Sequence, residues 1–170
     1  MNQVILSIGS NIKSRSQHII RACELIKKNL GTITKKSNVY LTPPIGFESE
    51  TSFYNCCLFV ETKFNPNEVL LITQEIEKDL GRTEKTQNSG YQSRTIDIDI
   101  IFFNHEVLDT PKLTIPHALF RERRFVLEPL NDLANQYVDP ISYLTVEQLL
   151  RNCSDKSKLT ILENQFLNTL

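Results

Sequence analysis

No apolar run in this chain approaches the roughly 18 residues that a membrane-spanning helix requires. Positive charge is not in excess either, since 19 Lys and Arg residues face 20 Asp and Glu residues. With a net charge of −1, the chain does not have the excess of basic residues that is typical of a dedicated nucleic-acid binder. The first three residues lead directly into a strand pattern and not into a secretory signal. We therefore expect neither membrane nor nucleic-acid partners.

Cysteine is sparse and shows no C-x-x-C spacing, which argues against a zinc or dithiol motif. Cys56 and Cys57 lie within an apolar run, where buried free thiols are expected. Without a secretion signal or a disulfide framework, the pattern predicts a reducing cytoplasm. A length of 170 residues, 40% of them hydrophobic, is enough for a single domain over residues 1–170 with a sizeable core.

The segment from Arg94 to Phe103 combines two aspartates with the most apolar run of the chain. Alternation of isoleucine and aspartate predicts a half-buried strand, in which Asp97 and Asp99 share one face. Two carboxylates about 6–7 Å apart repel each other unless a cation lies between them. Mg²⁺ would resolve that conflict, and Arg94 adds a donor suited to phosphate. We interpret the strand as a magnesium–triphosphate site; the alternative is an Asp face that meets only water.

The remaining periodicity predicts an ordered set of strands and helices. Strands are expected over residues 4–8, 37–41 and 53–61, with helices over about 16–30 and 66–80. After the Asp strand come a hairpin tip at 104–106, a short return near 107–108, and helices to about 134 and near 145–150. This is the β-α-β-β-α-β order of a ferredoxin-like α+β sandwich, with an antiparallel sheet, two helices on one face and a C-terminal helical appendage.

Several residues outside the Asp strand allow two interpretations. The stiff loop at 42–46 is either a connector or a main-chain grip on a flat ligand, and Asn55 is either packed in the core or placed to bind a heterocycle edge. The arginines near residue 123 are either surface charge or phosphate ligands. The polar stretch 82–93 is either a plain surface loop or a lid.

Short motifs in a fixed order from residue 4 to about 150 resemble one family. They are Gly9-Ser10-Asn11, Thr42-Pro43-Pro44, Tyr54-Asn55, Glu77 with Gly81-Arg82, Arg94-x-x-Asp97-Ile98-Asp99, Pro116-His117 and Arg123-x-Phe125-Val126-Leu127. The ordered set is similar to that of the 6-hydroxymethyl-7,8-dihydropterin pyrophosphokinases of folate biosynthesis. The resemblance implies a core over about 1–155, with a helical tail behind it.

The resemblance also implies a role for each matched residue. Asp97 and Asp99 would hold two Mg²⁺ ions, with Arg82 and Arg94 as further catalytic residues. The pterin substrate would contact Thr42, Pro43, Ile45, Phe53, Asn55 and Phe125. The co-substrate ATP would contact Gln74, Glu77, Arg94, Ile100, His117 and Arg123. The implied reaction moves pyrophosphate from ATP to hydroxymethyl dihydropterin in a monomeric enzyme.

Two other hypotheses fit part of the sequence. A palm-like nucleotidyl transferase or cyclase also places paired carboxylates on a ferredoxin-like sheet, which accounts for Asp97 and Asp99 but not for Asn55. A non-enzymatic small-ligand sensor of the same fold would make the carboxylates incidental.

Overall fold

One six-stranded antiparallel sheet organises the described part of this computed structural model, which comprises residues 1–42, 52–81 and 95–162. The strands are β1 (Asn2–Ser10), β2 (Gly31–Lys36), β3 (Val39–Thr42), β4 (Phe53–Thr62), β5 (Asp97–Phe103), β6 (Leu108–Asp109), β7 (Thr114–Ile115) and β8 (Thr160–Leu162). The helices are α1 (Arg15–Asn29), α2 (Pro66–Asp79), α3 (Arg124–Ala134) and α4 (Val146–Asn152).

The strand order is β5-β1-β4-β3-β8, and β2 pairs with β4 beside that path. The Asp-containing strand β5 therefore lies at one end of the described sheet, next to β1. Strands β6 and β7 form a separate two-stranded ribbon. The arrangement confirms the predicted ferredoxin-like fold with an antiparallel sheet.

Side chains of the sheet divide between two apolar clusters because successive residues of a strand point to opposite faces. In β1, Val4, Leu6 and Ile8 pack in the cluster that holds α1 and α2. Ile5 points the other way, into the cluster of α3 and α4. Helices thus cover both faces, and the second face also carries the polar residues of the site.

Helix α2 begins as its sequence predicts. The Asn65 side chain accepts a hydrogen bond from the Glu68 N–H, and the Glu68 carboxylate accepts one from the Asn65 N–H. This capping box fixes the register of the helix and therefore the direction of its later residues. No helix among the described residues has both the length and the apolar character needed to span a bilayer.

The fold differs from the sequence prediction in three short strands. β2 follows α1 directly, where no strand was predicted, and its residues are largely exposed. The return near 107–108 pairs with β7 and not with β5. The tail behind residue 155 was expected to be helical, but residues Thr160–Leu162 form β8 along β3. Such short segments depend on pairing with a distant strand, which local periodicity does not report.

Candidate functional site

The two aspartates of β5 lie on the same face of the sheet, as the alternation of the sequence requires. Ile98 between them is buried in the α1–α2 cluster, so Asp97 and Asp99 project from the opposite face. In the register of the sheet, Asp97 lies opposite Gly9 and Asp99 lies opposite Ser7. Both carboxylates are partly exposed, which leaves their oxygens accessible to a ligand.

A cavity of about 310 Å³ opens beside these carboxylates. It contains six residues that the sequence assigned to catalysis or nucleotide binding: Gln74, Glu77, Asp97, Asp99, Ile100 and His117. Helix α2 supplies the first two, β5 the next three, and the segment after β7 supplies the histidine. The structure thus brings together residues that are more than 40 positions apart in the chain.

Glu77 is buried where helix α2 lines the cavity, although no pattern of apolar residues predicted burial of this face of the helix. Its side chain is positioned by the Ile98 N–H, which donates to Glu77 Oε1 at 2.7 Å. A hydrogen bond from a backbone N–H to a carboxylate is charge-assisted and therefore strong. Glu77 thus attaches α2 to the strand that carries both aspartates.

His117 forms the opposite wall. Its Nδ1 accepts a hydrogen bond from the Leu119 N–H at 3.2 Å, and its Nε2 lies 3.9 Å from Asp99 Oδ2. Burial, with the nearby positive charge of Arg123, lowers the pKa of His117 to about 4, against an opposing effect of Asp97. The imidazole is therefore neutral near pH 7, and its Nε2–H faces the carboxylate side of the cavity.

Polar side chains of β3 and β4 lie next to the carboxylates on the same face of the sheet. Asn55 is buried, and its Nδ2 donates to Thr42 Oγ1 at 2.6 Å. A Cβ added at Gly9 would lie 2.8 Å from Asn55 Oδ1, so only glycine permits this approach. Gly9 pairs with Asn55 of β4 on one side and with Asp97 of β5 on the other. The triplet at 9–11, expected to end β1 as a turn, instead keeps its first two residues in the strand.

Two aromatic residues of the predicted pterin site lie at the start of β4 and at the start of α3. Phe53 starts β4, where it pairs with Thr42 and has a ring carbon 4.0 Å from the Cβ position of Gly9. Phe125 lies in the first turn of α3, with the Arg123 guanidinium 5.8 Å from its ring centroid. Both rings are partly exposed.

Arg121 and Arg124, which lie on either side of residue 123, have different partners in the structure. The Arg121 guanidinium forms a two-fold hydrogen bond with Asp139, through Nε and Nη2 at 2.7 Å each. Arg124 pairs with Glu128 on the next turn of α3. Both arginines thus have a carboxylate partner within the protein.

Four predicted site residues, Pro43, Ile45, Arg82 and Arg94, lie outside the described residues. The possible lid at 82–93 lies outside them as well. In contrast, the cavity includes residues that sequence reasoning missed, among them Thr73, Lys112 and Thr114. The sequence held a signal for Lys112 and Thr114, because they alternate with the apolar residues Leu113 and Ile115.

The donor set fits a hard divalent cation. Carboxylate oxygens are preferred ligands of Mg²⁺, which commonly binds through one or two carboxylates and completes its shell with water and substrate phosphates. Within the described residues, no group of three or more His, Cys, Asp or Glu side chains forms a protein-only metal site. Asp97 and Asp99 supply two carboxylates on one face of β5, a number with which Mg²⁺ commonly binds.

Comparisons with known proteins point to one enzyme family. The family model described as 7,8-dihydro-6-hydroxymethylpterin-pyrophosphokinase (HPPK) matches residues 5–135. The chain is 38% identical over 136 residues to 2-amino-4-hydroxy-6-hydroxymethyldihydropteridine pyrophosphokinase of Bacillus subtilis, covering 79% of this chain and 80% of that protein. It is 35% identical over 138 residues to the mitochondrial folate synthesis bifunctional protein of Arabidopsis thaliana, covering 81% of this chain and 24% of that protein.

The fold has solved relatives too. The crystal structure of Plasmodium falciparum HPPK-DHPS wild type with pteroate superimposes with a TM-score of 0.72 at 18% sequence identity. The match covers 89% of this chain and 44% of that chain. At this identity the likeness concerns the fold alone.

Proposed function

Because this chain belongs to the 7,8-dihydro-6-hydroxymethylpterin-pyrophosphokinase family, it is a pyrophosphoryl-transfer enzyme of folate biosynthesis, and we propose that the site described above performs the transfer. The hydroxymethyl oxygen of 6-hydroxymethyl-7,8-dihydropterin attacks the β-phosphorus of ATP. The bond from that phosphorus to the α–β bridging oxygen breaks, and AMP leaves with the bridging oxygen. The pterin hydroxyl loses its proton in the same process.

One observation supports this assignment most strongly, namely that Gly9 is flanked in the sheet by Asn55 and Asp97. A group that can bind a heterocycle edge and a carboxylate that can hold a cation are thereby placed on adjacent strand pairs. Because Gly9 has no side chain, nothing projects from β1 between Asn55 and Asp97. The reacting oxygen and phosphorus can then meet above β1, which is the positioning that phosphoryl transfer requires.

We propose that the cavity on the α2 side holds the nucleotide. His117 presents an Nε2–H donor, Gln74 an amide, and Lys112 a positive charge, while Ile100 gives apolar contact. Two Mg²⁺ ions held by Asp97 and Asp99 would neutralise negative charge on the phosphates. Arg82 and Arg94 are proposed to add positive charge from outside the described residues. In this arrangement catalysis rests on alignment and charge complementarity.

We propose that the pocket around Asn55 holds the pterin. The buried Asn55 Nδ2 is already engaged with Thr42 Oγ1, which leaves its Oδ1 to accept from a pterin N–H. Phe53 and Phe125 supply aromatic surface, and the main chain of Pro43 and Ile45 is proposed to complete the pocket. Because flat aromatic ligands stack favourably on aromatic side chains, these contacts bind the ring and leave the hydroxymethyl group free to react.

We further propose a cytoplasmic monomer. All four cysteines, namely Cys23, Cys56, Cys57 and Cys153, are free and buried, which suits a reducing compartment. Burial raises the pKa of the Cys23 thiol to about 11, so this thiol stays protonated and unreactive.

Incubation with ATP, Mg²⁺ and 6-hydroxymethyl-7,8-dihydropterin tests the proposed function. Release of AMP in equal amount to pyrophosphorylated pterin is expected, and omission of the pterin should abolish it. A cyclase or nucleotidyl transferase would release pyrophosphate, and a sensor would leave ATP intact. Either result would overturn the proposal.

A further inference from the structure

Residues 153–162, here called the C-terminal strap, lie beyond the residues 5–135 that the family model matches. We propose that this strap is a positioning element of the pterin pocket, since it ties the start of α3, with Phe125, to β3, with Thr42. The inference rests on the proposed function, because it concerns the pocket assigned there to pterin. It gives a role to a segment in which sequence reasoning found no motif.

The first attachment of the strap is at the start of α3. The backbone N–H of Arg124, the first residue of that helix, donates to Asp155 Oδ2 at 3.1 Å. An unpaired N–H in the first turn of a helix needs an acceptor, and a carboxylate there also interacts favourably with the helix dipole. Asp155 thus caps α3 from a distant part of the chain, one residue before Phe125.

Asp155 is itself held in place by the strap. Its Oδ1 accepts hydrogen bonds from the N–H and from the hydroxyl of Ser157. Burial alone would raise the pKa of Asp155, but these hydrogen bonds and the one from Arg124 outweigh that effect and lower it. The cap therefore stays ionised near neutral pH, which is the form that accepts strongly from an amide.

The second attachment is along β3. Strand β8 pairs with β3 so that Thr160 lies opposite Leu41 and Ile161 lies opposite Tyr40. On its other side β3 pairs with β4, where Tyr40 lies opposite Asn55. Without β8 this short strand would have β4 as its only described partner and would present a row of unpaired backbone groups. Pairing on both sides restrains the position of Thr42 at its end.

The strap connects the two apolar layers as well. Cys153 is buried in the α3–α4 cluster, and Leu162 packs against the α1–α2 cluster. Lys156 Nζ donates to the Cys153 carbonyl at 2.6 Å, which stabilises the turn between them. The strap is attached to α3 at one end and to β3 at the other, and only a few residues lie between the two attachments. It therefore limits how far α3 and β3 can separate. The strap therefore helps to hold in place the start of α3, with Phe125, and β3, with Thr42, the two elements that carry residues assigned to the pterin.

Two pairs of variants in the full chain separate positioning from general stability. Asp155→Ala removes the cap, whereas Asp155→Asn keeps an acceptor oxygen. Thr160→Pro removes the N–H of the β8 residue that lies opposite Leu41 of β3, whereas Thr160→Ala keeps the backbone and alters only an exposed side chain. Glu147→Gln, which loses a charge in the exposed pair with Arg151, is a further control.

The measurements are calorimetric dissociation constants for the pterin, with Mg²⁺ and a non-hydrolysable ATP analogue present, and for that analogue alone. We expect Asp155→Ala and Thr160→Pro each to weaken pterin binding by about three- to tenfold, the range corresponding to the loss of one helix cap. Asp155→Asn should restore most of the affinity, and nucleotide binding should change by at most about twofold. Both controls, Thr160→Ala and Glu147→Gln, should bind pterin like the wild type.

Lower thermal stability with unchanged pterin affinity in both strap variants would overturn the proposal. If Thr160→Pro does not fold, the comparison of Asp155→Ala with Asp155→Asn decides alone. If the wild type binds no pterin and releases no AMP, the proposed function has failed instead. Amide hydrogen exchange then tests the strap: faster exchange of residues 39–42 in Thr160→Pro and of 124–127 in Asp155→Ala is expected, and unchanged protection would refute it.

Discussion

The carboxylate of Glu77 accepts a 2.7 Å hydrogen bond from the backbone N–H of Ile98, the residue between Asp97 and Asp99. Among the described strands, β5 has a neighbour on one side only. A helix side chain thus pairs with the backbone of the strand at the point where the strand carries its two acidic groups. This hydrogen bond holds in place the strand that presents the proposed metal ligands. Glu77 therefore affects the site without having to contact a substrate.

Removing the Glu77 carboxylate should therefore affect both stability and turnover. Glu77→Ala leaves the Ile98 N–H buried without its acceptor, which should lower the free energy of unfolding by about 1–3 kcal/mol. Glu77→Gln keeps an acceptor oxygen and should lose less. Urea unfolding and AMP release measure the two effects. Glu75→Gln, on the exposed face of the same helix, is the control, and an equal loss there would contradict the argument.

The two aspartates of β5 should be needed for turnover but not for pterin binding. Asp97→Asn and Asp99→Asn remove negative charge from the proposed Mg²⁺ site while keeping side-chain size. We expect the rate of AMP release to fall on the order of 10²- to 10³-fold or more, because charge on the phosphates is no longer neutralised. The affinity for the pterin alone should stay within about twofold. Near-normal rates at saturating Mg²⁺ would show that these carboxylates are not the metal ligands.

Substitution of Gly9 should specifically disturb the pterin pocket. A Cβ at this position would lie 2.8 Å from Asn55 Oδ1, so Gly9→Ala must displace the amide from its hydrogen bond with Thr42. We expect pterin affinity to fall about as much as in Asn55→Leu, which should cost about 1–3 kcal/mol of binding. In a double-mutant cycle the two changes should be less than additive, since both act through one amide. Full additivity in calorimetric measurements would contradict that shared mechanism.

Elements with a strong local pattern could be predicted from the sequence. The alternation of β5 and the cap at Asn65 appear in the structure where they were predicted, because burial on one face and a helix start leave a direct trace in the order of residues. β2 and β8 left no such trace, since they are short, largely exposed and stabilised by β4 and β3. Their presence depends on contacts that form only after the sheet has assembled.

The candidate site shows the same limit. Asn55 and Asp97 each stood out as a polar residue in an apolar strand, but their placement on either side of Gly9 is a matter of cross-strand register. Register follows from the whole sheet and not from any one strand. Arg121 shows this limit as well, because its partner Asp139 lies 18 positions away and the local cluster of arginines left both surface charge and phosphate binding open.

The Arg121–Asp139 pair leads to a prediction about pH and stability. Asp139 is fully buried and accepts hydrogen bonds from Arg121, from Ser142 and from the Ile141 N–H. Burial alone would raise the pKa of Asp139, but these donors outweigh it, and the pKa in the folded protein is lowered. A group with a lowered pKa stabilises the folded state fully above its unfolded pKa, about 3.9 for Asp, and this contribution is lost as the pH falls through the folded pKa.

Asp139→Asn should therefore be less stable than the wild type by about 2–3 kcal/mol at pH 7, a size typical of lost hydrogen bonds to a charged group. The difference should narrow as the pH falls below about 4, because the Asp139 carboxylate of the unfolded chain takes up a proton there before that of the folded protein does. Urea unfolding over a pH series measures this, with Glu147→Gln as an exposed ion-pair control that should change stability little at any pH.

Arg121→Lys should likewise lose stability, because one ammonium cannot replace the two-fold hydrogen bond. Its folded fraction should keep most of its nucleotide affinity, since the guanidinium serves Asp139 and not the phosphates. A stability difference that is constant from pH 7 to pH 3, or a large loss of nucleotide binding in Arg121→Lys, would contradict this assignment.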